Sequence, residues 1–198
     1  MIGKLFGEKR LDFSKRVALT GEGIKKQGYL SILQGASIEN VLVDNLATDH
    51  GRIISGNILN GKKIDKTGYV GFYHHQLTVI PEGGERRFMG WMEPGFKHWS
   101  FSHTYLSWLF PRKMYQFDTS LNGGVRPVMF NTYYDKVFPF DIMPVQLLKA
   151  CIAEEVELME NLGIYEVTEE DFALCEVICP SKIEWQEIIL KGLTLLKG

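Results

Sequence analysis

The sequence predicts an α+β protein with its strands first and its helices last. Three observations carry this. The early part holds short apolar and β-branched runs bounded by glycines, as strands are. Residues 143–198 carry apolar positions at helical spacing. The early elements follow the order strand, strand, helix, then further strands, which is the order of a β-grasp-like unit. The expected organisation is a β-rich domain over residues 1–100, a linking aromatic and glycine-containing segment over 101–142, and a helical bundle over 143–198.

The strands "RVALTG" (16–21) and "GYLSIL" (28–33) come first. "ASIENVLVDNL" (36–46) reads as a short helix capped by Ser37, with Ile38, Val41 and Leu42 on one face. "RIISGNIL" (52–59), a turn at Asn60-Gly61 and "GYVGFYHHQLTVI" (68–80) continue the sheet. Residues 88–117 are dense in aromatic rings, with a turn at Pro94-Gly95 and a short helix over 102–110 stopped by Pro111. One helix is expected over 143–163, opened by Pro144 and striped by Val145, Leu148, Ile152, Val156 and Met159. It ends at the Gly163 cap. "TEEDFALCEVIC" (168–179) opens on a capping-box pair, Thr168 and Asp171, and stops before Pro180. "IEWQEIILKGLTLLK" (183–197) is the last helix.

The 198 residues are 45% hydrophobic and 23% charged, a globular composition long enough to bury a core. A net charge of -2 gives no electrostatic case for nucleic acid or an anionic membrane. Three cysteines make no disulfide framework and suit a reducing compartment. The opening "MIGKLFGEKR" lacks the apolar run of a signal peptide, and no stretch reads as a membrane span, so membrane association is expected through a partner.

The sharpest motif is "CEVICP", Cys175 to Pro180. It matches the second half of the Cys-x2-Cys-x2-Cys-x3-Cys-Pro run that holds a [4Fe–4S] cluster. The first two thiolate positions fall on Glu169 and Phe172. A phenylalanine cannot ligate iron, so no cluster and no other metal is expected. Cys175 and Cys179 read as vestigial cluster positions that pack as small apolar groups.

Other motifs weigh less. "GNILNGKK" (56–63) begins like a phosphate loop but has Lys63 where Ser or Thr should hold magnesium, so it reads as a turn. His74 and His75 are neighbours on an expected strand and face opposite ways, so they cannot share a metal. No Ser-His-Asp or Cys-His arrangement is present, and no catalytic residue is assigned. The acidic tract from Glu154 to Glu176, with no Lys or Arg, reads as a solvated face or as a dock for a basic partner. Trp91, Trp99, Tyr105 and Trp108 are candidates to stack a quinone ring, or else form an interface or ordinary packing. Gly123 and Gly124, followed by Arg126, form either a plain turn or an anion-binding nest.

Taken in order along the whole chain, "IGKLF", "VALTGEGIKK", "GASIENVL", "RIISGNILNG", "GFYHHQLTVI", "FMGWMEPG", "NGGVRP", "VFPFDIMPVQLL" and "EEDFALCEVICP" resemble the A subunit of the bacterial Na+-translocating NADH:quinone oxidoreductase. That subunit is more than twice as long, so the chain reads as its C-terminal portion, a fragment beginning near Ile2. The resemblance implies a soluble-ligand-binding β-grasp domain and then a helical bundle. The family is similar to the C subunit of the Rnf complex and to the flavin subunit of respiratory complex I, whose bundles carry a full cluster. It implies a cytoplasmic subunit, peripheral on the inner face of the bacterial membrane, docked on membrane-embedded partner subunits. The assembly passes electrons from NADH through flavins and iron centres on other subunits to ubiquinone and exports Na+. The fragment alone is expected to be inactive and to bind none of those groups, with ubiquinone the one ligand left open. The alternatives are a quinone-binding module using the aromatic segment, or an iron–sulfur carrier of the Rnf type.

Overall fold

The computed structural model describes residues 2–48, 50–83, 90–129 and 132–197, with the side chains of Ile2 and Trp91 set aside. Phe88 lies outside the described residues. The chain divides into two compact units, Met1–Glu93 with Arg112–Ser120, and Pro94–Pro111 with Leu121–Gly198.

The first unit opens with a short helix α1 (Ile2–Glu8) and the hairpin β1 (Ser14–Thr20) and β2 (Gly28–Leu33). A single-turn helix α2 (Glu39–Leu42) follows, then β3 (Gly51–Ser55), β4 (Lys62–Lys63) and β5 (Gln76–Pro81). The strands form one mixed sheet in the order β2-β1-β5-β3-β4. Its central pair β1 and β5 is parallel, with Leu19 opposite Leu77, and its other pairs are antiparallel.

Period-two alternation sends Val17, Leu19, Ile53, Leu77 and Val79 to one side of the sheet. There Ile24, Ile38, Leu42 and Val70 close over them. Each fully buried side chain of this kind stabilises the fold by about 1.5–3 kcal/mol. Gly21 sits at φ +98° where β1 leaves the sheet, and a Cβ there would lie 2.1 Å from the Val79 carbonyl oxygen. Only glycine accepts both conditions. The outer strand β4 is two lysines long, a charged edge that resists pairing with another sheet.

Three expectations for this unit change. The helix over 36–46 shrinks to one turn, because Ser37 is tied elsewhere: its hydroxyl donates to Thr67 O (3.2 Å) and its backbone bridges to Tyr69. The hydroxyl also accepts from the Glu39 N–H at 3.2 Å, but the N-cap position falls on Ile38, which has no side-chain cap, so Ser37 is not the cap expected. The strand expected over 68–80 begins only at Gln76. Ahead of it stand an isolated bridge at Tyr69 and a turn at Phe72 and Tyr73, so His74 and His75 do not lie on a strand as expected.

The second unit carries 3-10 turns at Leu106–Leu109 and Tyr134–Lys136, then α3 (Pro144–Ala153), α4 (Val156–Asn161), a 3-10 turn Glu169–Phe172 running into α5 (Ala173–Ile178), and α6 (Trp185–Leu195). The expected helix over 143–163 is broken at Glu154, which takes the left-handed conformation at φ 57°. The Glu155 N–H then reaches back to Ala150 O (3.1 Å) and closes a Schellman-type end. Like charges at a helix C-terminus oppose the macrodipole, and Glu154, Glu155 and Glu157 crowd there. The break turns the stripe: Val145, Leu148 and Met159 are buried, while Ile152 and Val156 are exposed. The capping box forms as its spacing predicts, with Thr168 N–H donating to Asp171 Oδ2 at 2.8 Å. The helix after it stops at Ile178, ahead of Pro180.

Candidate functional site

The interior of the helical unit is where the cysteine outline comes together. Cys175 and Cys179 stand one turn apart at the end of α5, and both are buried. Phe172, at the position of a missing thiolate, is fully buried. Its ring lies 4.7 Å from that of Phe138 and is stacked 6.1 Å from that of Trp185. Tyr134 packs 4.6 Å from the same indole. An aromatic plug therefore occupies the side of Cys175 and Cys179 where further thiolates would stand. Glu169 is half-buried in the 3-10 turn.

Cys151 adds no third donor to that pair. It packs against α6, where a Cβ at Gly192 would meet its Sγ at 2.7 Å. No group of three or more His, Cys, Asp or Glu able to hold a metal occurs among the described residues. A four-thiolate cluster does not fit this donor set.

The two neighbouring sulfurs differ electrostatically. Burial pushes the Cys175 thiol up to about 12, with Cys179 and Asp135 adding to the shift. Burial also pushes Cys179 upward, but hydrogen bonds from Tyr134 and from the Ile183 and Ser181 backbone outweigh it and hold that thiol below its ordinary value. The Tyr134 hydroxyl donates to Cys179 Sγ at 3.3 Å. Trp185 favours the thiolate as well, although its Nε1–H makes no hydrogen bond of good geometry. Sequence reasoning assigns no role to Tyr134 or Trp185. Trp185 stands six residues past Cys179, and a tryptophan beside a half-empty cluster motif is the only signal the sequence offers; Tyr134 carries none.

The four quinone candidates fare differently. The Trp91 side chain lies outside the described residues. Trp99, Tyr105 and Trp108 form three separate local ring pairs, with Phe101 at 6.4 Å, His98 at 5.4 Å and His103 at 6.2 Å. Trp99 and Trp108 are exposed, at 40% and 50%. Tyr105 folds against Gly95, where φ is +65° and a Cβ would lie 2.1 Å from the ring. A shallow cleft of about 420 Å³ lies instead at α4, lined by Glu155, Val156, Glu157, Leu158 and Asn161. Its carboxylates do not suit a neutral quinone ring.

At the glycine turn, Arg126 N–H donates to Ser181 O (2.9 Å), and a Cβ at Gly123 would lie 3.4 Å from Lys182 Cε. The structure thus sets Gly123 beside the Lys182 stem and ties the Arg126 backbone to Ser181, while a Cβ at Gly124 would meet nothing within 4 Å.

A family model described as the NQRA C-terminal domain matches residues 16–66. Over 197 residues the chain is 36% identical to the A subunit of the Na(+)-translocating NADH-quinone reductase of Hahella chejuensis, and 36% to that of Yersinia pestis. It is 34% identical over 197 residues to that of Neisseria meningitidis. Each alignment takes in 99% of this chain and 44% of the relative, so the chain spans under half the length of these relatives. With an ordered match along its whole length, the chain belongs to the family of Na(+)-translocating NADH-quinone reductase A subunits, in the part that includes their C-terminal domain.

Proposed function

We propose that this chain is a structural and docking element of a Na+-translocating NADH:quinone reductase, contributing to quinone-side electron transfer without binding a redox centre of its own. The observation that carries the reading is the plug: Phe172 is fully buried where a thiolate would be needed. A bundle with two sulfurs and a phenylalanine in that place positions neighbours but relays no electron through a cluster. NADH, flavins and iron centres then belong to partner subunits, and the chain acts at the cytoplasmic inner face of the membrane. No helix among the described residues is long and apolar enough to cross a membrane, in keeping with docking on embedded partners.

The first unit is read as a β-grasp domain of the soluble-ligand-binding kind. Its support is the strand order β2-β1-β5-β3-β4 about a parallel central pair, with α2 between the second and third strands. The three-part organisation, 1–100, 101–142 and 143–198, belongs to the same proposal.

The exposure of Trp99 and Trp108 favours a second reading, a quinone-contacting segment that also draws on Tyr105 and Trp91. Retention of the purified chain by the remaining subunits of a detergent-solubilised complex tests docking, and no retention overturns it. Photo-labelling of the chain with a quinone analogue, followed by peptide mapping, tests the second reading. Label outside residues 91–108 removes the aromatic segment from it.

A further inference from the structure

The segment that replaces the expected strand at residues 69–74 is held from three sides. Lys15 Nζ of β1 donates to Gly71 O (3.2 Å) and to Phe72 O. Ser55 Oγ of β3 accepts from Gly71 N–H (2.9 Å) and bonds His74 Nδ1 (2.8 Å). The bridge from Tyr69 to Ser37 ties the entry of the turn to the residues before α2.

At the entry and the tip of this braced segment, three aromatic side chains face water. Tyr69 is 63% exposed, Phe72 62% and Tyr73 86%. Phe72 and Tyr73 stand edge to face with ring centroids 5.0 Å apart. A fold that spends a lysine and a buried serine on holding such rings in solvent has prepared a contact, since little ordering entropy remains to be lost on binding.

The surrounding charge indicates what the contact is made with. Residues 56–81 contain Lys62, Lys63 and Lys66 against one acid, Asp65. Lys62 and Lys66 are exposed, and Lys62 stands opposite Ser55 in the sheet register. Lysine is depleted from the cores of protein interfaces. Exposed tyrosine and phenylalanine rings in a lysine-bearing segment are instead the composition of a bilayer-surface contact, where rings sit at headgroup level and cations meet anionic lipid. We infer that the Tyr69–Phe72–Tyr73 turn, flanked by Lys62 and Lys66, is a membrane-surface anchor that inserts its rings among the headgroups of an anionic bilayer. The chain's net charge of -2 hides this, because its acids concentrate in residues 154–176. The inference stands apart from the docking and quinone readings and survives the failure of either.

Co-sedimentation of the chain with vesicles tests it. The chain is expected to bind phosphatidylglycerol–phosphatidylcholine vesicles and to bind pure phosphatidylcholine far less. The double substitution Phe72→Ser with Tyr73→Ser should lower binding about tenfold or more. Lys62→Gln and Lys66→Gln should each lower it about fivefold, with the loss reproduced by high salt. All four positions are exposed, so circular dichroism and melting should be unchanged. Absence of vesicle binding, or binding indifferent to the aromatic substitutions or to phosphatidylglycerol, overturns the proposal. Retention by solubilised partner subunits that depends on Phe72, without vesicle binding, also overturns it and assigns the turn to a protein interface.

Discussion

Replacing Phe172 by alanine removes the ring that fills the vestigial site. Phe172 is fully buried, and its ring meets those of Phe138 and Trp185. Truncation of a buried phenylalanine typically costs 3–5 kcal/mol, combining lost transfer energy with the cavity left behind. Each aromatic pair adds about 0.5–1.5 kcal/mol beyond burial. A loss of about 4 kcal/mol is therefore expected, a large share of the stability of a typical domain. For a unit of this size, each kcal/mol moves the melting point by about 4–8 °C. Denaturant titration followed by tryptophan fluorescence reads the change, since Trp185 lies in the same cluster. Phe172→Leu should lose much less, because it retains most of the apolar volume. A loss under about 1 kcal/mol for Phe172→Ala would refute the plug as the packing centre.

Two further outcomes follow from named contacts. Burial holds Cys151 up at about 11 and Cys175 up at about 12 from an unfolded value of 9.0. A group raised in the folded state contributes fully below its unfolded value and loses that contribution as pH rises through the folded one. Stability should fall above pH 9, by about 1.4 kcal/mol per thiol at pH 10. Cys179, lowered in the fold, works the other way. Urea titrations at pH 8 and pH 10 check this, and an unchanged midpoint contradicts it. Gly21→Ala would force a Cβ into the Val79 carbonyl at positive φ, so a loss of more than about 2 kcal/mol is expected. Thermal melts of the purified variant measure it.

Much of the fold can be read where local chemistry and tertiary packing agree. The strand "GYLSIL" lies between glycines and runs Gly28–Leu33 as expected. The Thr168 and Asp171 box opens the turn leading into α5, and Pro180 stands beyond its end, because caps and prolines act within a few residues. Glu154 could not be read: a left-handed residue is expected to be Gly or Asn, and here a glutamate takes that place where the Glu155 N–H closes the helix end on Ala150 O. The segment at 69–74 looks like a strand because its β-branched and aromatic content is high. Its backbone bonds go to Lys15 and Ser55, which are distant in sequence. The helix Ile2–Glu8 is only seven residues long and contains Gly3 and Gly7, so its local propensity is weak.

The same contrast holds at the site. The cysteine spacing and the phenylalanine at position 172 are a local pattern, legible from the order of residues alone. The Tyr134 hydroxyl on Cys179 and the Lys182 stem under Gly123 join segments far apart in sequence, and no local pattern carries them.

Iron and acid-labile sulfide analysis of anaerobically purified chain addresses the absence of a redox centre most directly. The aromatic plug predicts neither element in stoichiometric amount and no visible charge-transfer absorbance, before or after incubation with ferrous iron and sulfide. About four irons and four sulfides per chain would contradict it.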